Sequence, residues 1–353
     1  MNSGLNRLKG IACIAVCSGH TLDAFLWYTS SGTPLLERIF RLPILWSVFS
    51  GGGISVVVYC LLSDYLAAQS NIENIKVLIK KSIYRYANFF TLLLLCSLCI
   101  VVMRMFGLFG YTAPAAELLG NERMTGNNYA RTTLLDAFLK AFMLKSYNGA
   151  MWMIGLLFYG NVFVYALKWL RPKVNIVFFS LLFVAVLVAS YLYQPLVSVT
   201  VAGSIAFFYG DFLKKFCIRN KIVSVLLVLI SMLFVQRPYF LTRFVPYYVL
   251  ITPACGLICM CATNILNDLH VFGRPADLLG KYNMVIFSIH IPIIYSLSPF
   301  IFCKAYNFGY EPAFWITYGI TMLAIFLLAV PYMKFIESNR KKLVAFLKGK
   351  LGL

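Results

Sequence analysis

Of the three histidines in this chain, His20 and His290 lie inside long apolar stretches. An ionisable side chain at hydrocarbon depth is expensive, so each is a candidate for function. His20 has the richer surroundings. Lys9 precedes it by eleven residues. On a helix that is about three turns, which leaves the two side chains about 20° apart in azimuth and about 16 Å apart along the axis. They share one face. Asp23, at i+3 from His20, falls on the same side and can orient the imidazole or offset its charge. Arg7 falls on nearly the opposite face. An imidazole removed from bulk water can accept a proton near neutral pH, and a lysine at the cytoplasmic interface can meet phosphate. The pair suits an elongated, phosphorylated donor gripped at one end and reacting at the other. A histidine satisfied structurally by a neighbouring helix has the same spacing.

Other residues could serve the same chemistry. Gly51, Gly52 and Gly53 weaken a helix and suggest a backbone that a ligand or another helix approaches closely. Ser63 and Asp64 follow on the same apolar segment, with Asp64 near its inner end, where an interfacial carboxylate is also expected. Lys80, Lys81 and Arg85 enter the next segment from the side of Lys9. They suit either phosphate binding or the topogenic charge of a cytoplasmic loop. Trp152 opens a later segment, where an interface anchor is the ordinary reading. His290 sits in a segment running from Lys281 to Pro292 and beyond, and His270 falls in a loop.

These residues need helices across a bilayer to hold them. Hydrophobic residues make up 61% of the 353 and charged residues 12%, about half the charged share of a soluble domain. The expected fold is an all-α polytopic integral membrane protein. A span needs about 20 mostly apolar residues, and ten segments qualify, roughly 8–28, 43–68, 85–106, 150–169, 174–193, 196–213, 222–237, 244–264, 282–302 and 313–335. The first is read as a retained helix, because its apolar run leads into His20 and Asp23 with no small-residue cleavage site after it. With the N-terminus inside, the inner segments are 1–7, 69–84, 170–173, 214–221, 265–281 and 336–353, and they hold most of the loop lysines and arginines. The positive-inside rule then predicts both termini in the cytoplasm. The chain reads as a single membrane-embedded domain, 1–353, with an external loop at 107–149. The second half of that loop, 132–145, has the amphipathic spacing of an interfacial helix.

The formal net charge of +19 does not point to nucleic acid, because the basic residues come in short clusters between apolar runs. Membrane lipids are the expected surroundings. Nine of the ten cysteines lie in or beside apolar runs, including the Cys96-x-x-Cys99 pair, and read as small buried hydrophobes. No metal site and no disulfide are expected, since such sites need a polar setting.

Four segments, in order, give the chain a resemblance. Lys9 to His20 resembles a basic-x10-His helix. Gly52-Gly53-Ile54-Ser55-Val56, leading to Leu62-Ser63-Asp64-Tyr65-Leu66, is similar to an FF-x-LSGYL segment. Asn148 to Trp152 looks like an LW helix start. Leu279-Gly280-Lys281-Tyr282 through His290-Ile291-Pro292 is similar to a GK-S…H-P helix. Together they resemble the membrane acyltransferase-3 family, bacterial-type polytopic proteins that O-acylate surface glycans and lipids. The resemblance covers most of the chain. It implies a plasma-membrane enzyme, an O-acetyltransferase in kind, that uses cytoplasmic acyl-CoA, usually acetyl-CoA, as donor substrate with no bound cofactor. The acceptor would be a hydroxyl of a surface or lipid-linked glycan. It makes His20 the essential histidine and general base and puts Lys9 on the basic position. Two positions depart from the pattern. Lysine replaces the usual arginine at position 9, keeping charge without the bidentate fork, and Asp64 replaces the glycine of the Ser-Gly-Tyr segment.

A transporter or flippase for a glycan or lipid-linked intermediate would also explain polar residues at membrane depth, although corresponding broken helices in two halves are not evident. A member of another acyl-transfer family, or an inactive scaffold, is a third reading. The soluble-type His-x4-Asp motif is absent at His20, because Asp23 comes too early.

Overall fold

The computed structural model describes residues 3–27, 29, 34–49, 53–124, 133–146, 149–210, 220–236, 246–268 and 273–351. Gly52, Asn148, Cys217 and His270 lie outside the described residues, as does the stretch 125–132 of the external loop. The described residues are helical, with no strand among them.

Seven helical stretches are long and apolar enough to cross a membrane: Ser3–Trp27, Ile75–Met105, Gly149–Lys173, Ile176–Tyr193, Tyr247–Asn267, Gly273–Phe308 and Tyr310–Phe346. Shorter apolar helices occupy the other three expected segments, at Gly53–Ala68, Pro195–Phe208 and Lys221–Val235. The expected single segment 43–68 is two helices, Pro43–Phe49 and Gly53–Ala68, on either side of the glycine-rich residues 50–52.

In chain order the α-helices are α1 (Ser3–Leu22), α2 (Pro34–Phe40), α3 (Pro43–Phe49), α4 (Gly53–Ala68), α5 (Ile75–Met105), α6 (Thr112–Leu119), α7 (Leu134–Phe142), α8 (Met153–Leu170), α9 (Ile176–Tyr193), α10 (Pro195–Ala202), α11 (Ile205–Phe208), α12 (Lys221–Gln236), α13 (Tyr247–Asn267), α14 (Gly273–Ala305) and α15 (Tyr310–Leu351). The first helix is central. It packs against α4, α13, α14 and α15, and small residues let it do so. A side chain at Gly10 would run into the carbonyl of Ala276, and one at Gly280 into the carbonyl of Asn6. Without a hydrophobic drive between helices in lipid, such close backbone approach is what holds spans together. Polar contacts tie the inner end of α1 to its neighbours. Arg7 donates to the Leu266 carbonyl at 2.6 Å and pairs with Asp277 at 3.3 Å, and Asn6 donates to the Asp277 carbonyl at 2.6 Å. Arg7 thus anchors α1 on the face away from His20.

Two prolines inside α14 show how the bundle satisfies its backbone. Proline has no N–H, so Pro292 and Pro299 release the carbonyls four residues earlier. Unmet carbonyls in hydrocarbon are costly. The Cys96 thiol of α5 donates to the Ser288 carbonyl at 3.1 Å, and Thr112 of α6 donates to the Tyr295 carbonyl at 2.8 Å. Neighbouring helices therefore complete the hydrogen bonding of the helix that carries His290.

At the periphery, α9 exposes Val177, Leu181, Val184, Val188 and Leu192, the pattern of a helix that a bilayer would cover. The amphipathic stretch expected at 132–145 contains α7, started by Thr133, whose side chain accepts from the Asp136 amide at 3.1 Å. Ala137 and Ala141 are buried, and α7 packs on α5, while Leu134, Leu135, Phe138, Leu139 and Phe142 point outward. A small face toward protein and a large apolar face toward the surroundings suit an interfacial helix. The same loop also holds α6, whose residues carry no comparable amphipathic signal.

Candidate functional site

The face of α1 between Lys9 and His20 links two polar places. At the one nearer the N-terminal end of α1, a cavity of about 430 Å³ is lined by Lys9 from α1, Tyr59 and Ser63 from α4, Tyr84, Arg85 and Asn88 from α5, Asn161 and Tyr165 from α8, and Asn283 from α14. Five helices converge because the loops between them place α4, α5 and α8 around the start of α1. Lys9 and Arg85 lie within electrostatic range of each other, and Arg85 also sits over the Phe89 ring at 4.4 Å. Two like charges facing one cavity, with amide and hydroxyl groups around them, form a receptor for an anion with polar substituents.

The wall between α4 and α8 is built around a buried amide. Asn161 donates to Ser63 Oγ at 3.1 Å and to Asp64 Oδ1. Asp64 itself is fully buried, not interfacial as its place near the segment's end suggested. Gly160 makes room for it, since a side chain there would meet Thr200 of α10 and Asp64 Oδ2. Asp64 itself does not line the cavity, but it contacts Asn161, which does.

From the cavity a run of rings leads outward. The Tyr59 hydroxyl donates to the Lys9 carbonyl. The Tyr59 ring meets Phe287 edge-on at 4.8 Å between centroids, Phe287 meets His290 at 5.9 Å, and His290 meets His20 at 5.4 Å. His20 Nδ1 lies 3.7 Å from Asp23 Oδ2, and both side chains are about one-quarter exposed, 25% and 26%. The predicted i+3 relation is therefore a close contact, longer than a hydrogen bond, that becomes an ion pair when His20 is protonated.

His290 is fully buried. Its Nδ1 lies 3.0 Å from the Phe287 carbonyl and 3.3 Å from that of Ile286. Carbonyls only accept, so Nδ1 carries the hydrogen and Nε2 presents its lone pair. Nε2 is buried with no hydrogen-bond partner among the described residues. Beyond His20, α1 widens into a π-helical turn at Asp23–Trp27, a distortion that recurs at functional sites. The carbonyls of Ala24 and Phe25 are taken by Asn121 at 2.8 Å and Tyr310 at 2.6 Å. Two residues before His20, Ser18 Oγ lies 2.8 Å from the Tyr318 hydroxyl.

The structure thus groups Lys9, Arg85 and Ser63 at the cavity, and His20, Asp23 and His290 at the second place, further along α1. Lys80 is exposed and Lys81 half-buried on the first turns of α5, and neither lines the cavity. Gly53 is exposed at the start of α4, and Trp152 is 47% exposed at the start of α8. Sequence reasoning passed over Tyr59, Asn161 and Asn283. A signal existed for Asn161 and Asn283, amides within apolar runs, where an unsatisfied polar group is disfavoured. None existed for Tyr59, an aromatic among apolar neighbours.

The profile of the family described as an acyltransferase domain matches residues 2–334. Nothing among the curated proteins matches the chain, and no solved structure does. The match spans every helix that builds the cavity and the histidine pair, and the chain belongs to the acyltransferase-3 family.

Proposed function

We propose that this membrane acyltransferase is an O-acyltransferase that moves an acyl group, most simply acetyl, from acyl-CoA to a hydroxyl of a surface or lipid-linked glycan. The observation that carries the reading is the joined pair of places along α1: a cationic cavity at Lys9 and Arg85, and an imidazole pair of the partly exposed His20 and the buried His290, connected through Tyr59 and Phe287.

The chemistry follows from the two ends. Lys9 and Arg85 bind the phosphates of the donor, and Ser63, Asn88, Asn161 and Asn283 offer hydrogen bonds to its polar parts. The acyl thioester is carried toward His20. There His20 removes the proton of the acceptor hydroxyl as its oxygen attacks the thioester carbonyl, and the C–S bond then breaks. The proton held on His20 passes to the departing thiolate, so the products are an ester and free CoA. Asp23 stabilises the imidazolium formed in between, at the 3.7 Å separation of the two groups. His290, neutral with its Nδ1 hydrogen tied to backbone, supports the orientation of the His20 ring.

Clustered lysines and arginines in the segments on the side of Lys9 support a cytoplasmic donor and cytoplasmic termini in a cell membrane. The acceptor then approaches from the His20 side, opposite the donor cavity.

The test uses purified protein in nanodiscs with radiolabelled acetyl-CoA and an envelope glycan fraction. Label should move to the glycan with the wild type and not with His20→Ala. Equal transfer by the variant would remove His20 from the role of base, and no transfer by the wild type to any hydroxyl acceptor would remove the reaction.

A further inference from the structure

The stretch of α1 that carries His20 opens on one side only. From Ala15 to Trp27 every residue is buried except His20, Asp23 and Trp27. Their spacing, i, i+3 and i+7, puts them on one helical face. A single partly exposed stripe therefore runs from the base along about two turns, to the end of the π-helical turn Asp23–Trp27. There aromatic rings gather from that turn, α2, α3 and α15. Trp27 meets Trp46 of α3 edge-on at 4.7 Å between centroids and Phe40 of α2 at 6.3 Å, and Phe40 meets Trp315 of α15 at 6.1 Å. Three of the chain's five tryptophans thus collect around the buried Phe40. Trp46 and Trp315 are 36% and 43% exposed.

Tryptophans at a bilayer surface often form an interfacial belt, and two features set this cluster apart. Asp23 lies on the same open stripe as Trp27, and an acidic side chain in a span faces water or protein rather than hydrocarbon. Glu37 and Arg41 pair at the end of α2 with both side chains exposed, so this edge meets water as well. The stripe opens to water and ends on aromatic rings. A sugar ring asks for that combination: its C–H groups form an apolar face that packs on an indole, and its hydroxyls need polar surroundings at the rim. Resting on the acyl-transfer reading given above, we propose that Trp27 and Trp46 form the acceptor subsite, a platform on which a sugar ring of the glycan stacks so that one of its hydroxyls reaches His20. The donor cavity lies at Lys9, toward the other end of the same helix, so donor and acceptor approach His20 from opposite directions.

The experiment measures acceptor and donor kinetics separately, in nanodiscs, with radiolabelled acetyl-CoA and the envelope glycan fraction. Trp27→Leu and Trp46→Leu should each raise the apparent KM for glycan roughly three- to tenfold, the scale of one aromatic contact, and leave the KM for acetyl-CoA unchanged. Trp27→Phe and Trp46→Phe keep a ring and should recover most of the loss. A second readout needs no turnover. In protein carrying Trp152→Phe and Trp169→Phe, the three clustered tryptophans supply all the indole emission. That emission should shift on adding glycan without donor and should not change on adding CoA. A belt or packing role would lower thermal stability in the leucine variants and leave the acceptor KM at its wild-type value, and that result overturns the inference. If Trp27→Leu is not obtained folded, Trp46→Leu, at an exposed position, is read alone. Failure of the wild type to transfer label to any glycan would instead take down the acyl-transfer reading, and this inference with it. Transfer by the wild type with an unchanged acceptor KM in the variants takes down the inference alone.

Discussion

The cavity at Lys9 and the histidine pair are built on the same two helices, α1 and α14, yet they solve opposite problems. The cavity is wide and polar, with Lys9, Arg85 and Asn161 on its wall and Asn283 supplied by α14. The histidine place is tight. His290 is wholly buried, and its ring lies 5.4 Å from that of His20, with an aromatic neighbour at Phe287. A wet, charged site binds ions with exchange and release. A largely buried site disfavours a charged imidazole until a proton arrives and strengthens any charge that then forms. The contrast separates holding from reacting along one helix, and substitutions at the two ends should fail in different ways.

The largest effect is expected for His20→Ala. Acetyl transfer should fall by roughly 10²- to 10⁴-fold, the usual contribution of a general base, while acetyl-CoA binding measured by calorimetry stays near the wild-type value. Loss of binding as well would break the division between the two places. Next is Lys9→Gln combined with Arg85→Gln. Removing both cations should raise KM for acetyl-CoA by some ten- to a hundredfold on the scale of charge-assisted phosphate contacts, leaving kcat at saturation within a few-fold. A collapse of kcat at unchanged KM would mean that these residues serve the chemistry. Lys80→Gln, on the same helix as Arg85 but off the cavity, should leave KM unaltered.

His290→Gln sharpens the comparison from the other end. It should lower kcat by roughly tenfold with KM unchanged, because the His20 ring loses its packed partner and not its proton-accepting atom. A steady-state titration of acetyl-CoA reads both parameters. A KM change of the size seen on removing Lys9 and Arg85 would connect the two places more closely than the rings alone do. The smallest effect is one of stability. Cys96→Ala leaves the Ser288 carbonyl, freed by Pro292, without its donor, and should cost about 1 kcal/mol. In detergent this reads as a melting midpoint lowered by a few degrees, with Cys96→Ser retaining most of it.

Some of this was already visible along the chain. The face shared by Lys9 and His20 follows from helix pitch, and Asp23 at i+3 does approach His20. The amphipathic segment in the external loop does contain a helix, α7. Asp64 is the instructive departure. Its position near the end of an apolar run suggested an interface, but α8 and α10 close over it, and only their packing makes it buried. The basic run Lys80-Lys81 and Arg85 reads alike in sequence. In the structure only Arg85 is turned into the cavity, because α5 presents one face to α8 and α15 and another outward.

By itself the sequence determined the membrane class, the helical content and the candidate helix, with Lys9 near its N-terminal end and His20 eleven residues on. Those properties depend on hydrophobicity and on residues within a few turns of one another, which helix geometry relates without reference to the rest of the chain. Tertiary structure decided that His290 is the partner of His20, that Asn161 bonds both Ser63 and Asp64, and that five helices line a cavity at Lys9. These relations join residues far apart in sequence through helix–helix packing. That packing turns on close approach at glycines such as Gly10, Gly160 and Gly280, and no local periodicity encodes which helix will be the neighbour.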